Sequence, residues 1–273
     1  MFRGELLKLT TTAATKVALA VGVLGLVATQ LVLVVLLPAL ASGTIGPGAD
    51  ALGDDLPASG VATASAQLAS LSPLGASGGG GSLSIAALAV LVLGVLAGTT
   101  DYRFGGIVPT ALAEPRRGRI LAAKVGATAV TGLVLGAAYA IVSLVALLVS
   151  LPATGTTLEI GIPDIAAVMA RGTGVVALLA LLGLGIGVLA RSQLAGVLIM
   201  LGAVVLELMT QGVAVLATGA WPLWGQALPL TLSQAAIGST PSEIPSLVAL
   251  AGLAGWVALI LAAATVAIRR RDL

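Results

Sequence analysis

The chain has 273 residues, 58% hydrophobic and 9% charged, with a formal net charge of +2. A water-soluble domain carries roughly 25% charged residues to hydrate its surface, so this composition, with a mean hydropathy of +1.14, excludes a soluble globular protein and makes lipid the solvent. Cysteine and histidine are both absent, which excludes disulfides, iron–sulfur and thiolate zinc sites and a Ser–His–Asp triad; no metal site and no catalytic residue are expected.

The apolar runs are continuous over about 20 residues, as helical spans require, and do not alternate over the roughly ten-residue segments of a membrane β-barrel. The expected fold is an all-α membrane protein, one transmembrane domain over 1–273. Small residues fill the spans, 36 of them glycine, and small residues let helices approach closely where packing, not a hydrophobic drive, holds them together.

In chain order, the segment FRGELLKLTTTAATK comes first. Phe2, Leu6, Leu7 and Leu9 share one side of a short helix, with Arg3, Glu5 and Lys8 elsewhere, which predicts an amphipathic interfacial helix over 1–16; a basic tail that only orients the first span is the plainer alternative. Spans are predicted at about 17–40, 83–99, 121–151, 166–190, 194–217 and 246–268. The third is longer than a bilayer needs and implies tilt or an in-plane extension. PALA before Ser42 looks like a signal-cleavage site, but the apolar run exceeds the usual core of about 7–15 residues, so the segment is read as a retained span. The outer loop 41–82 contains SGGGGS, read as a linker, and VATASAQLASL, read as a short helix. The segment 218–245 carries Trp221, Trp224 and several leucines among prolines. It is too apolar for a solvated loop and too broken to span, which predicts a re-entrant or interfacial hairpin.

Twelve of the thirteen Lys and Arg residues fall on the N-terminal tail, the connection between spans two and three, the turn after span four and the C-terminus. The alternate connections hold Asp50, Asp54, Asp55, Glu159, Asp164 and Glu243 and no basic residue. Six spans with both termini in the cytoplasm of a bacterial inner membrane satisfy the positive-inside rule throughout.

No G-x-x-x-x-G-K-[ST] loop exists in the sequence, so the chain is not expected to hydrolyse ATP itself. On the cytoplasmic side, DYRFGGIVPTALAEPRRGRILAAK over 101–124 has a turn at Gly105 and Gly106, a short helix with Pro109 in its first turn and a break at Pro115. It reads equally as a protein-docking element or as an ordinary basic loop.

Three segments are similar to a known family. GELLKLTTTAATK with Glu5 and Lys8, the run Asp101-Tyr102-Arg103-Phe104-Gly105-Gly106, and Pro115-Arg116-Arg117-Gly118-Arg119 with Lys124 resemble elements of the membrane subunits of type-2 ATP-binding-cassette exporters, in particular small actinobacterial permeases. Gly106 stands where the family often has threonine. The resemblance implies that 101–119, with Glu114 preceding Pro115, is the coupling helix that fits a groove in the ATPase. It also implies a dimer of this permease with itself or a homologue, two copies of a cassette ATPase that binds ATP and Mg, and substrate passing between the halves. This chain would itself bind no cofactor and no nucleic acid, and would contact membrane lipid.

Arg171 and Glu207 lie inside spans four and five. A charge at the bilayer centre costs about 2.5–3.5 kcal/mol on insertion scales, so each needs a partner or a wet cavity. An ion pair between them, a place on the substrate path and exposure to water are the three readings. The leading functional expectation is the membrane subunit of an ATP-driven exporter. The rival is a membrane scaffold or immunity-type protein that binds a partner without moving a solute. A secondary transporter is less favoured because Glu207 alone would carry protons, and a membrane enzyme is least favoured.

Because the chain has no cysteine, single cysteines introduced at Ser77 and Gly118 test the topology directly. They are expected to label from opposite sides of intact cells; labelling of both from outside would rule out six spans.

Overall fold

The computed structural model describes residues 2–41, 43, 45, 61–75, 84–103, 117–218, 222–240 and 242–270. Among these the chain is all-helical, with no strand, and six helices are long and apolar enough to cross a membrane. The SGGGGS run, most of loop 41–82 and residues 104–116 lie outside the described residues.

Helix α1 (Phe2–Thr11) is followed by span one, built from α2 (Ala13–Gln30), a π-helical turn (Leu31–Leu36) and α3 (Leu37–Ala41). The π turn has a local cause. Pro38 has no N–H and its ring crowds the carbonyl four residues back, at Val34, so the helix widens there and the Leu37 N–H bonds to Val32 O. Helix α4 (Ala64–Ser70) is the short helix expected in VATASAQLASL. Spans two to five are α5 (Ile85–Arg103), α6 (Arg117–Thr154), α7 (Ile162–Ala190) and α8 (Gln193–Thr218). Two short helices, α9 (Leu223–Gln226) and α10 (Pro229–Ile237), precede span six, α11 (Ser246–Arg270). At about 1.5 Å per residue, the 38 residues of α6 reach far beyond a hydrocarbon core of about 30 Å. Helices α7 and α8 are joined by Arg191 and Ser192 alone; Arg191 takes a left-handed φ of 58° and its N–H closes the last turn on Gly187 O at 3.0 Å.

Span four is the central post. It touches spans two, three, five and six, while span one leans on spans two and three. In the most apolar stretch of each span, 67% of α5 and 61% of α7 is buried, against 28% of α8 and 22% of α11. The seam between α5 and α7 is made by glycine. A Cβ on Gly94 would lie 2.1 Å from Ala180 O, and one on Gly183 would lie 2.2 Å from Leu91 O. One turn on, Gly98 and Gly187 face Leu184 O and Val95 O in the same way, at 2.7 and 2.6 Å. Each helix thus presents a small-xxx-small stripe, Gly94/Gly98 and Gly183/Gly187, and the backbones touch without intervening side chains. Gly132 and Gly136 of α6 meet Ala177 and Thr173 on another side of α7.

At the end of the bundle opposite the basic residues, 61–75 forms a cap. Gln67, wholly buried, donates to Val61 O and Thr157 O and accepts from Glu159 N, while Gln30 of span one donates to Ser70 O and Ser143 of span three to Ser72 O.

Gly94→Ala or Gly183→Ala is expected to cost about 1–3 kcal/mol through overpacking, outweighing the gain of about 1 kcal/mol in helix propensity. Gly202→Ala and Gly212→Ala, where a Cβ meets nothing within 4 Å, should be neutral or stabilising. Thermal unfolding of the purified variants separates the two groups, and equal behaviour in all four would remove the glycine seam as a determinant of packing.

Candidate functional site

Three parts of the chain distant in sequence converge at the basic end of the bundle. Helix α1 lies against α6 and α2. Its Phe2 ring packs over Gly126, 3.3 Å from where a Cβ would sit, and its Leu9 joins a small apolar cluster with Ala97, Leu121, Leu184 and Val188. This docking sets two charged residues of α1, Glu5 and Lys8, one turn apart, against the last turn of α5 and the second turn of α6.

There a closed ring of four charges forms. Lys8 Nζ lies 2.7 Å from Glu5 Oε1 and 3.0 Å from Asp101 Oδ1. Lys124 Nζ lies 2.8 Å from Glu5 Oε2 and 2.7 Å from Asp101 Oδ2. Signs alternate around the ring, each carboxylate oxygen meets one ammonium, and the net charge is zero. The side chains of Asp101 and Lys124 are only 5% and 8% exposed, so this is not a surface ion pair of small value. Removing one member of a buried pair typically costs 3–5 kcal/mol, because the other charge is stranded. Burial by itself lowers the Lys8 pKa, but the Glu5 and Asp101 carboxylates outweigh it and hold the ammonium above the ordinary lysine value.

Each of the three segments singled out in the sequence contributes to the ring: Glu5 and Lys8 from the first, Asp101 from the second, Lys124 from the third. Residues Phe104, Gly105, Gly106, Pro109, Glu114, Pro115 and Arg116 lie outside the described residues, and Arg103 and Arg117 are described by their helical backbone alone. The ring therefore stands at both roots of the segment 104–116. Beside it Tyr102, together with Arg191, Ser192, Gln193, Leu194 and Val197, lines an open cavity of about 550 Å³.

The two charges within the spans do not pair with each other. Both bind α10, at opposite ends. Glu207 Oε1 accepts from Leu230 N at 2.9 Å, Thr231 N at 2.9 Å and Thr231 Oγ1 at 3.2 Å, and Gln211 Nε2 donates to it at 3.3 Å. All four contacts are donors, as an ionised carboxylate requires. Arg171 Nε donates to Ile237 O at 3.0 Å, at the other end of the same helix. The chain turns there at Gly238, with φ 68°, where an added Cβ would come 3.0 Å from the guanidinium. An anion at the N-terminus and a cation at the C-terminus both complement the helix dipole. The sequence signal for this was the pair of charges; their shared partner is a backbone, which no charge pattern announces. Around α10, Gln226 donates to Glu243 at 2.9 Å and Trp256 Nε1 to Ala227 O at 2.9 Å, tying the region 223–245 together and to span six.

Sequence reasoning missed the glycine seam and the cap glutamines, although the Gly-x-x-x-Gly spacing at 94–98 and 183–187 was legible. No protein-family model matches the chain, and no curated protein sequence matches it.

Asp101→Asn leaves two lysines facing one carboxylate and is expected to destabilise the protein by about 3–5 kcal/mol. Adding Lys124→Met, which restores neutrality as a Glu5–Lys8 pair, should recover much of that loss. Because the folded-state pKa of Lys8 is raised, its contribution is complete below the ordinary lysine pKa of about 10.4 and is lost as pH rises through the higher folded value. Thermal unfolding of the three proteins, with an alkaline series on the wild type, measures both effects; additive losses in the double variant would mean that the ring does not act as a unit.

Proposed function

We propose that this chain is the membrane subunit of an ATP-driven exporter of the type-2 cassette class, energised by a separate ATPase. The observation that carries the reading is the charge ring. An element meant to receive a stroke from a partner must be tied to more than one span, and Glu5, Lys8, Asp101 and Lys124 tie α1, span two and span three together at the two roots of 104–116. In this reading 101–119 is the coupling segment and Arg103, Arg116 and Arg117 meet the ATPase. Helix α1 lies in the cytoplasmic interface and both termini are cytoplasmic in a bacterial inner membrane. The permease works as a dimer with itself or a homologue, and ATP and Mg are bound by two partner ATPases.

Glu207 and Arg171 then act as positioning residues for the re-entrant α10, and the substrate path runs between the two permease copies. A second reading, a scaffold or immunity-type protein without transport, draws on the cap of 61–75, which closes one end of this protomer's bundle.

The experiment is purification of the tagged chain from its native membrane with assay of ATP hydrolysis. Co-purification of a cassette ATPase is expected. Arg103→Glu or Arg116→Glu should weaken that association about tenfold, the equivalent of about 1.4 kcal/mol, with membrane insertion unchanged. A chain that purifies without an ATPase, and whose variants behave as wild type, would favour the scaffold reading.

A further inference from the structure

Directly beneath the charge ring lies a small, partly open cavity of about 10 Å³, lined by Glu5, Lys8, Lys124, Leu9, Ala97 and the four threonines Thr12, Thr15, Thr100 and Thr128. That volume holds the centre of one water molecule and nothing larger. Its lining is polar to a degree unusual inside an apolar bundle, and the hydrogen-bond accounts of its residues do not close. The hydroxyls of Thr12 and Thr100 are spent on Lys8 O and Leu96 O, each at 2.5 Å. The Thr128 side chain is 1% exposed and its hydroxyl has no partner among the described residues. Thr15, 4% exposed, faces the same space. An ammonium has three N–H donors, and Lys124 uses two of them on Glu5 and Asp101.

We propose that this cavity is a binding site for a single ordered water molecule, held by Thr128, Thr15 and the third N–H of Lys124. The water accepts from Lys124 and exchanges hydrogen bonds with the two threonine hydroxyls, which gives it three partners, the usual number for a buried water. An ion does not suit the site. The ring is already neutral, two carboxylates against two ammonium groups, so neither a cation nor an anion has an uncompensated charge to meet. The water lets the ring be hydrated from its inner side, so that a lysine leaving one carboxylate meets water before it meets the next, and α1 can shift against spans two and three without stripping a charge bare. This site stands on local geometry and holds whether or not the chain is a permease.

Thr128→Val removes the hydroxyl while keeping the shape, and its sign decides the matter in the full-length purified protein. With water bound, the variant takes away one of the water's three partners, and the Tm is expected to fall by about 2–4 °C, corresponding to about 1 kcal/mol for a chain of this size. In a dry cavity the same change deletes an unpartnered hydroxyl, and an unchanged or higher Tm would overturn the proposal. A high-resolution density map of the wild type tests the site without any substitution. A single peak within about 3.2 Å of Thr128 Oγ1 is expected, and an empty cavity there overturns it. Replacing chloride by gluconate should leave the Tm unchanged; a chloride-dependent Tm would assign the cavity to an anion instead.

Discussion

The architecture depends on the contact between spans two and four, where backbone meets backbone. In lipid there is no hydrophobic gain in bringing two apolar helices together, so association rests on close packing and on hydrogen bonds. Gly94 and Gly98 against Gly183 and Gly187 supply that packing along a whole turn and more. Once α5 and α7 are joined so closely, the neighbours follow: α6 enters through Gly132 and Gly136, and α8 and α11 lie outside with most of their apolar surface exposed. The seam also fixes the depth of Asp101 at the last turn of α5. The charge ring therefore inherits its geometry from glycines that carry no charge.

Ionisable groups in this bundle are handled in two different ways at its two ends. At the basic end charge answers charge, with Glu5, Lys8, Asp101 and Lys124 in a neutral ring whose most exposed member, Lys8, is 43% open. Deeper in the bundle, Glu207 and Arg171 answer a helix. Their partners are the N–H groups of Leu230 and Thr231 and the carbonyl of Ile237, backbone groups that a short, largely buried helix would otherwise leave unsatisfied at each end. One arrangement solves two costs at once, the desolvated charge and the orphan backbone, and it explains how a nine-residue helix opened by a proline can sit against spans four and six.

Much of the fold was legible. Continuous apolar runs define six spans because a bilayer sets helix length almost independently of packing, and the short helix 64–70 follows from its own local pattern. The broken, proline-rich segment announces short helices in place of a span, as found at Leu223–Gln226 and Pro229–Ile237, because prolines at 222, 229, 241 and 245 exclude a continuous helix. The partner of a buried charge was not legible. Glu207 and Arg171 stand at compatible depths on adjacent antiparallel helices, which suggests an ion pair, but depth says nothing of rotation about the helix axis. A partner made of peptide groups leaves no mark in a list of charged residues. Glu5, Lys8, Asp101 and Lys124 were each visible as charges in suggestive segments, yet their closure into one ring required α1 to fold back across α6, and the Phe2–Gly126 contact that seats it has no periodicity to reveal it.

The contrast between the two ends has a mechanical consequence. A side-chain ring can exchange partners: each ammonium sees two carboxylates, each carboxylate two ammonium groups, and the loss of one contact leaves three of the four contacts and every charge still paired. A backbone clamp has no such intermediate, since losing Glu207 exposes two N–H groups together with the charge that held them. Displacement is therefore cheaper at the basic end than around α10. Helix α1, with its half-open Lys8, is the element of the bundle best placed to move first, while α10 is held by both charges and travels with spans four and five.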